Sequence, residues 1–326
     1  MWPDTAGYVV SCKLDTLKHS HMGKFDLNRR NFLGALSLGT AHLMFNNPLY
    51  GAAGRFTSLD PLQRVTLGKT GIKPTLLGVG TGIHGGSRSS FLTRQDKALS
   101  IATLRHAYDR GIRMFDNADT YGTHGLVAEA LKGMDREEIV LTSKIWTREG
   151  GIPEPERPDA NIVVDRFRKE LNTDYIDVVQ LHCMVDGQWT DQERKQMDIL
   201  EELKVKGIIR AHGTSVHSLE AMIAGVKDPW VDVLHARINP FGIAMDRPDP
   251  AEVVEVIHQM HQSGRGVIGM KLVGDGKLRD ESEKIDQALK FVLGLGSVDM
   301  MIVGFESEAQ IDNYLDRMEV ALKELA

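Results

Sequence analysis

The chain has 326 residues, of which 42% are hydrophobic, and a formal net charge of −6. This length fits one α/β barrel, which typically needs about 250 residues. An acidic chain without a basic stripe is excluded as a nucleic-acid-binding protein. Its two cysteines, Cys12 and Cys183, are too few for a disulfide framework or a four-cysteine metal site, so we expect no metal centre.

Residues 1–54 have the pattern of a leader. Two arginines, Arg29 and Arg30, precede an apolar, glycine-containing run over residues 32–45, which resembles a twin-arginine export signal, and residues 51–53 are small enough for cleavage. A membrane-spanning helix needs about 20 apolar residues, so we expect no stable span. The signal predicts the export machinery as a partner and a periplasmic location, or a cytoplasmic one if the signal does not function. The alternative is an ordinary amphipathic helix capped by arginines.

Between residues 62 and 326, short runs rich in Val, Ile and Leu alternate with amphipathic stretches. Apolar residues at helical spacing, such as Ile285 and Leu289, predict helices between these runs. Eight strand–helix units favour a closed (β/α)8 TIM barrel of the α/β class over an open, doubly wound sheet, which usually has Gly-x-Gly-x-x-Gly after its first strand. Residues 65–72 predict an N-terminal β-hairpin at the barrel bottom. The predicted strands cover residues 76–79, 113–115, 139–143, 176–181, 208–213, 232–235, 266–270 and 300–303.

Four polar side chains follow three consecutive predicted strands. Asp116 and Tyr121 follow the second strand, Lys144 the third and His182 the fourth. Because catalytic groups of such a barrel lie at the carboxyl ends of its strands, we expect these side chains to meet at one mouth. A nearby ammonium lowers the pKa of a phenol, so we expect Lys144 to make Tyr121 a better acid, and we expect Asp116 to hold Lys144 charged and in place. His182 would then orient the carbonyl that Tyr121 protonates.

The sequence around these residues resembles the aldo-keto reductase family over residues 62–326. Three segments are similar to the family's second-, third- and fourth-strand signatures: Phe-Asp116-x-Ala-x-x-Tyr121-Gly, Thr-Ser-Lys144-x-Trp and Leu-His182. The resemblance implies that these four residues form a catalytic tetrad. It also implies an oxidoreductase that interconverts a carbonyl (aldehyde, ketone or keto-sugar) and an alcohol. NAD(P)H would supply the hydride, since no side chain can.

The resemblance places the cofactor across the barrel mouth. Three positions depart from the family pattern, because His235 replaces a glutamine, Ile238 an aromatic residue and Val216 an asparagine. A carboxylate at Glu306 repels a 2′-phosphate and can accept hydrogen bonds from ribose hydroxyls, which slightly favours NAD over NADP. The expected cofactor contacts are Gly80, Thr81, Ser215, His235, Lys271, Gly304, Glu306, Ser307, Gln310 and Asn313.

Side chains on loops above the mouth are candidates for a substrate pocket, namely His84, Trp146, Trp189 and Met184. The acidic, proline-rich loop over residues 147–159 is either a lid or a solvated connection. The departures from the family pattern also leave an alternative function open. In that alternative, the protein is a nicotinamide-nucleotide-binding sensor or partner subunit with little turnover.

Overall fold

A computed structural model describes residues 58–326 of the chain, and within them eight parallel strands close into a barrel in chain order. The first and last strands pair directly, with Leu77 opposite Met301. All eight predicted strands are confirmed, with bounds that differ by at most three residues. The strands are β1 (Leu77–Gly80), β2 (Met114–Asp116), β3 (Val140–Ile145), β4 (Ile176–Met184), β5 (Ile209–Val216), β6 (Val233–Arg237), β7 (Gly266–Met270) and β8 (Met300–Val303).

Helices surround the strands and bury their apolar sides against them. In the helix that follows β7, Ile285, Leu289 and Val292 are buried as the helical spacing predicts. The last helix begins where the Ser307 hydroxyl accepts a hydrogen bond from the Gln310 backbone N–H. The helices are α1 (Phe91–Arg94), α2 (Lys97–Asp109), α3 (His124–Ala130), α4 (Ala160–Leu171), α5 (Trp189–Gln192), α6 (Arg194–Val205), α7 (Leu219–Lys227), α8 (Ala251–Gln262), α9 (Ser282–Gly294) and α10 (Glu308–Leu325).

A hairpin before β1 closes the bottom of the barrel, as predicted. The Leu67 backbone N–H donates to the Ile72 carbonyl at 3.0 Å, and both side chains are fully buried among interior residues of the strands, such as Ile268. The turn needs Gly68, whose φ is +54° and where a Cβ would lie 2.3 Å from the Gly266 nitrogen. The hairpin therefore leaves the opposite end of the barrel as the open mouth.

The predicted leader over residues 1–54 lies outside the described residues. Within residues 58–326, none of the helices has both the length and the apolar character that crossing a membrane requires.

Candidate active site

The ends of β2, β3 and β4 bring the four predicted catalytic side chains together. Asp116 ends β2 and accepts a hydrogen bond from Lys144 Nζ of β3 at 2.5 Å. Tyr121 ends a short 3₁₀ helix after β2, and its ring meets the ring of His182 edge-on at 5.6 Å between centroids. Lys144 Nζ lies 5.3 Å from the centre of the Tyr121 ring. One cluster of an acid, an amine, a phenol and an imidazole thus lies at the mouth.

The Asp116–Lys144 pair is almost completely buried. Burial alone would raise the pKa of Asp116, but the charges and hydrogen bonds of Lys144 and His235 outweigh it and hold that pKa far below its usual range. Burial lowers the pKa of Lys144, and Asp116 opposes this shift. Lys144 Nζ also donates to the Asn117 carbonyl at 3.0 Å, so this ammonium is already occupied by two partners.

The pKa of Tyr121 departs from the expectation. Burial, with the negative charge of Asp116, raises the pKa of Tyr121 well above 10. The expected net lowering of this pKa is therefore not found, because burial and the charge of Asp116 outweigh the effect of Lys144, whose ammonium is hydrogen-bonded to Asp116 and to the Asn117 carbonyl. Tyr121 is a neutral phenol at physiological pH, with its proton available for donation.

His182 is neutral as well. Burial and the nearby positive charge of Lys144 lower its pKa well below 6.5. Its Nδ1 lies 3.5 Å from the Thr120 hydroxyl, and its ring meets Trp146 edge-on at 5.4 Å between centroids. A neutral imidazole held between Tyr121 and Trp146 can share a hydrogen bond with a carbonyl oxygen without adding charge.

Two glycines fix the Tyr121 ring, and neither was expected from the sequence to do so. A Cβ on Gly82 would lie 2.4 Å from Tyr121 Cζ, and one on Gly85 would lie 2.7 Å from Tyr121 Cδ1. The ring therefore packs on bare backbone of the loop after β1. The glycine-rich stretch over residues 80–86 was the available signal for this contact.

A pocket of about 300 Å³ extends from Tyr121 across the ends of β1, β7 and β8. Six of the ten expected cofactor residues line it, together with the candidate substrate residue His84. The six are Gly80, Lys271, Gly304, Glu306, Gln310 and Asn313.

The other four expected cofactor residues do not line this pocket. Thr81 is buried and donates to the Asp116 carbonyl at 2.9 Å, and the Ser215 hydroxyl accepts from the Cys183 N–H at 2.8 Å. Ser307 caps α10. His235 is fully buried, with Nε2 3.2 Å from Asp116 Oδ1. Its place inside the barrel is thus beside the tetrad's carboxylate, rather than at the pocket wall.

The structure also corrects two substrate candidates. Trp189 is only 1% exposed, and its indole N–H donates to the Ala221 carbonyl at 3.0 Å in the helical layer. Met184 is 2% exposed in the same core. Trp146 stays a candidate, because it contacts His182. Ile238 is fully buried in the apolar core, so it does not take the place of the family's aromatic residue.

Three arginines near the mouth were not singled out from the sequence. Arg279 and Arg317 line the pocket. Arg148, on the loop after β3, stacks on Trp146 with its guanidinium carbon 4.6 Å from the ring centre. These long side chains reach the mouth from loops and helices, so no local sequence motif predicts their position there.

The loop over residues 147–159 covers one side of the mouth. Arg157 donates to the carbonyls of Arg148 and Gly150, each at 2.7 Å, and Arg88 pairs with Glu154. A Cβ on Gly151 would lie 2.2 Å from Trp146 Cε2. The loop is thus tied down over Trp146, which differs from a freely solvated connection.

Comparisons with known proteins agree with this geometry. The model of the Aldo/keto reductase family matches residues 76–291. The aldo-keto reductase YhdN of Bacillus subtilis is 30% identical over 171 residues, which are 49% of this chain and 49% of that protein. The NADH-specific methylglyoxal reductase of Escherichia coli is 25% identical over 62% of this chain and 68% of that protein.

A solved structure shares the fold. The holo form of the aldo-keto reductase AKR11C1 from Bacillus halodurans superposes with a TM-score of 0.63 at 21% identity, covering 81% of this chain and 96% of that one. The chain spans about half the length of the first curated relative it matches. The family match nevertheless covers most of the barrel, tetrad included, and the chain belongs to the aldo/keto reductase family.

Proposed function

We propose that the protein is an NAD(P)H-dependent carbonyl reductase, with Tyr121 as its proton donor. The observation that carries this proposal is the neutral phenol of Tyr121, which lines the pocket beside a neutral His182 and above the Asp116–Lys144 pair. A carbonyl oxygen that gains a hydride on its carbon becomes an alkoxide and needs a proton at once. Tyr121 is placed to give it.

The buried pair supports Tyr121 in two ways. Lys144 is a cation beneath the phenol ring, and its charge favours the phenolate that forms as the proton leaves. Asp116 keeps that cation in place and is itself held by the Thr142 hydroxyl at 2.7 Å. The pair therefore stays fixed while the charge on Tyr121 changes, as preorganised electrostatic stabilisation requires.

The pocket residues fit a nicotinamide dinucleotide, which supplies the hydride when bound. Gly80 and Gly304 give this pocket stretches of backbone without side chains. A Cβ on Gly304 would lie 2.4 Å from Ile83 Cγ1, so a side chain at this position would clash with Ile83. Lys271 offers a cation for a pyrophosphate, and Gln310 offers an amide for an adenine.

The choice between NADH and NADPH depends on the charged side chains that line this pocket. Glu306 favours NADH, because a carboxylate repels a 2′-phosphate. The NADH specificity in the name of the Escherichia coli relative supports the same choice. Arg279 and Arg317 would attract a 2′-phosphate and so favour NADPH, although Arg317 is already paired with Asp286 at 2.5 Å. We propose NADH as the preferred cofactor.

The cofactor choice is tested with both cofactors and a charge reversal. Glu306→Lys should tighten NADPH binding by about tenfold or more, since it replaces a repulsion by an attraction, and should weaken NADH binding little. Glu308→Lys makes the same charge change on a side chain outside the pocket and should leave both affinities alone. A wild-type protein that binds NADPH more tightly than NADH would contradict the proposed preference.

The reductase activity is tested with Tyr121→Phe. Loss of the proton donor should lower kcat by a factor of about 10² to 10⁴, while the cofactor dissociation constant changes little. Tyr108→Phe is the matched control, because Tyr108 packs under Arg113 away from the mouth. Cofactor binding without turnover of any aldehyde or ketone in a broad panel would instead favour a sensor or partner subunit.

We also propose that residues 1–54 direct export through the twin-arginine machinery. The support is the sequence pattern alone, with Arg29 and Arg30 before a short apolar run. Cell fractionation of the full chain should find it in the periplasm. Replacing both arginines by lysine should keep it in the cytoplasm, and a wild-type chain that stays there would refute the proposal.

A further inference from the structure

Three cations lie near Cys183 and His217 at the mouth, and one of them, Lys271, also lines the cofactor pocket. Arg148 follows β3, Arg237 ends β6 and Lys271 follows β7. All three act on Cys183 at the end of β4 and on His217 after β5. We call these three side chains the cationic rim.

The electrostatic effect of the rim is clear at His217. Burial, with the charges of Arg237, Lys271 and Arg148, lowers the pKa of this imidazole to about 3. His217 therefore adds no charge of its own at neutral pH.

Two of the three rim cations are neutralised locally. Arg237 pairs with the buried carboxylate of Asp246, and Lys271 pairs with Asp275. Arg148 differs, since among residues 58–326 no carboxylate lies within ion-pair distance of it. Its polar partner is the Cys183 sulfur, 3.2 Å from Nη2, and its Nε is buried without a hydrogen-bond partner. The rim thus carries one uncompensated positive charge.

This charge is close to the reacting position. The Arg148 guanidinium stacks on the Trp146 ring, and the Trp146 ring in turn packs edge-on against His182. One indole ring therefore separates the cation from the imidazole that orients the carbonyl. Cys183, which Arg148 contacts, directly follows His182 in β4.

We propose that the substrate carries a carboxylate, which Arg148 binds while the carbonyl oxygen faces Tyr121. This inference rests on the proposed reductase function and names its substrate class, an aldehyde or ketone acid with a short spacer. The planar fork of a guanidinium matches a carboxylate, and one surplus charge suits a monoanion better than a phosphate dianion. In the reaction, the carbonyl carbon gains the hydride of NAD(P)H and the oxygen gains the Tyr121 proton, so a hydroxy carboxylate and NAD(P)⁺ result, and a proton from solvent then restores the Tyr121 phenol.

The test compares 4-oxobutanoate with its methyl ester, which has the same spacer and no charge. The wild-type protein should have a kcat/KM at least about tenfold higher for the acid. Arg148→Gln should lower kcat/KM for the acid by about tenfold to a hundredfold through KM, since a charge-assisted hydrogen bond is lost, and should leave the ester within about threefold. Arg148→Lys should recover part of the loss.

Two controls isolate the contribution of the Arg148 charge. Lys169→Gln removes one exposed positive charge on α4 and should leave the preference for the acid unchanged. Calorimetry of butanoate and butanamide, with the NAD⁺-saturated protein and its Arg148→Gln variant, measures the subsite without turnover. Only the carboxylate should lose affinity.

The outcomes distinguish the two claims. Equal kcat/KM for acid and ester, or equal losses for both in Arg148→Gln, overturns the carboxylate subsite and leaves the reductase intact. A stronger Arg148-dependent preference for glyceraldehyde 3-phosphate than for the acid would overturn the carboxylate in favour of a phosphate. If no carbonyl is reduced, the reductase proposal fails, and the calorimetric comparison alone supports or overturns the subsite.

Discussion

Gly82→Ala should disable the active site although it replaces none of the four catalytic side chains. The added methyl would start 2.4 Å from Tyr121 Cζ, whereas nonbonded carbons rest at about 3.5–4.0 Å. The ring or the loop must therefore shift by about 1 Å. A displacement of that size at a reacting group can lower the rate by about 10², and the overpacking should lower the free energy of unfolding by about 1–3 kcal/mol.

The assay is kcat/KM for carbonyl reduction, measured beside the cofactor dissociation constant and the urea midpoint. Gly86→Ala is the matched control, because a Cβ there meets nothing within 4 Å in the same loop. We expect a large fall in kcat for Gly82→Ala and none for Gly86→Ala. If Gly82→Ala folds, binds cofactor and reduces carbonyls as fast as Gly86→Ala, then close packing on Gly82 does not hold the Tyr121 ring in place.

Three further predictions concern stability, each measured by urea unfolding. His217 stays unprotonated in the folded protein down to a pH of about 3, but in the unfolded chain it binds a proton below about pH 6.5. The free energy of unfolding should therefore fall as the pH drops through this window, by at most about 1.4 kcal/mol per pH unit. His217→Gln should flatten this pH dependence, and an unchanged slope would contradict the prediction. Lys144→Met should lower the free energy of unfolding by about 3 kcal/mol, because it leaves the Asp116 carboxylate buried without its cation. Adding Asp116→Leu should restore most of this loss, and no restoration would mean that lost packing, rather than the unpaired charge, causes it. Trp189→Ala should lower it by about 3–5 kcal/mol with little change in KM, whereas a large change in KM at near-normal stability would return Trp189 to the substrate pocket.

The barrel and its tetrad were predictable because their signals are local. Apolar runs give the strands, and Asp116, Lys144 and His182 lie within or directly at the end of one. The pKa of each group, in contrast, depends on how the strands pack in three dimensions. The pairing of Lys144 with Asp116 was expected from the sequence, but the raised pKa of Tyr121 was not, because it depends on burial in the folded barrel.

Two causes explain why some expected cofactor residues do not line the pocket. Short hydroxyls such as those of Thr81 and Ser215 bond to the nearest backbone group, so they need not face a ligand even at a strand end. His235 illustrates the effect of strand phase, because inward-facing residues of different strands meet in the closed barrel. Arg279 and Arg317 reach the pocket only after α9 and α10 have packed, so their role depends on tertiary contacts between distant segments.

The pairing of β1 with β8 has a consequence for how the site comes into being. The pocket crosses the line where these two strands meet, with walls from Gly80 on one side and Gly304 on the other. During synthesis, all four tetrad residues leave the ribosome more than a hundred residues before β8 does. A nascent chain can therefore contain all four of these residues before the β8 side of the pocket has been synthesised. Cofactor capture should coincide with closure of the last strand, so bound nucleotide would report that the barrel is finished.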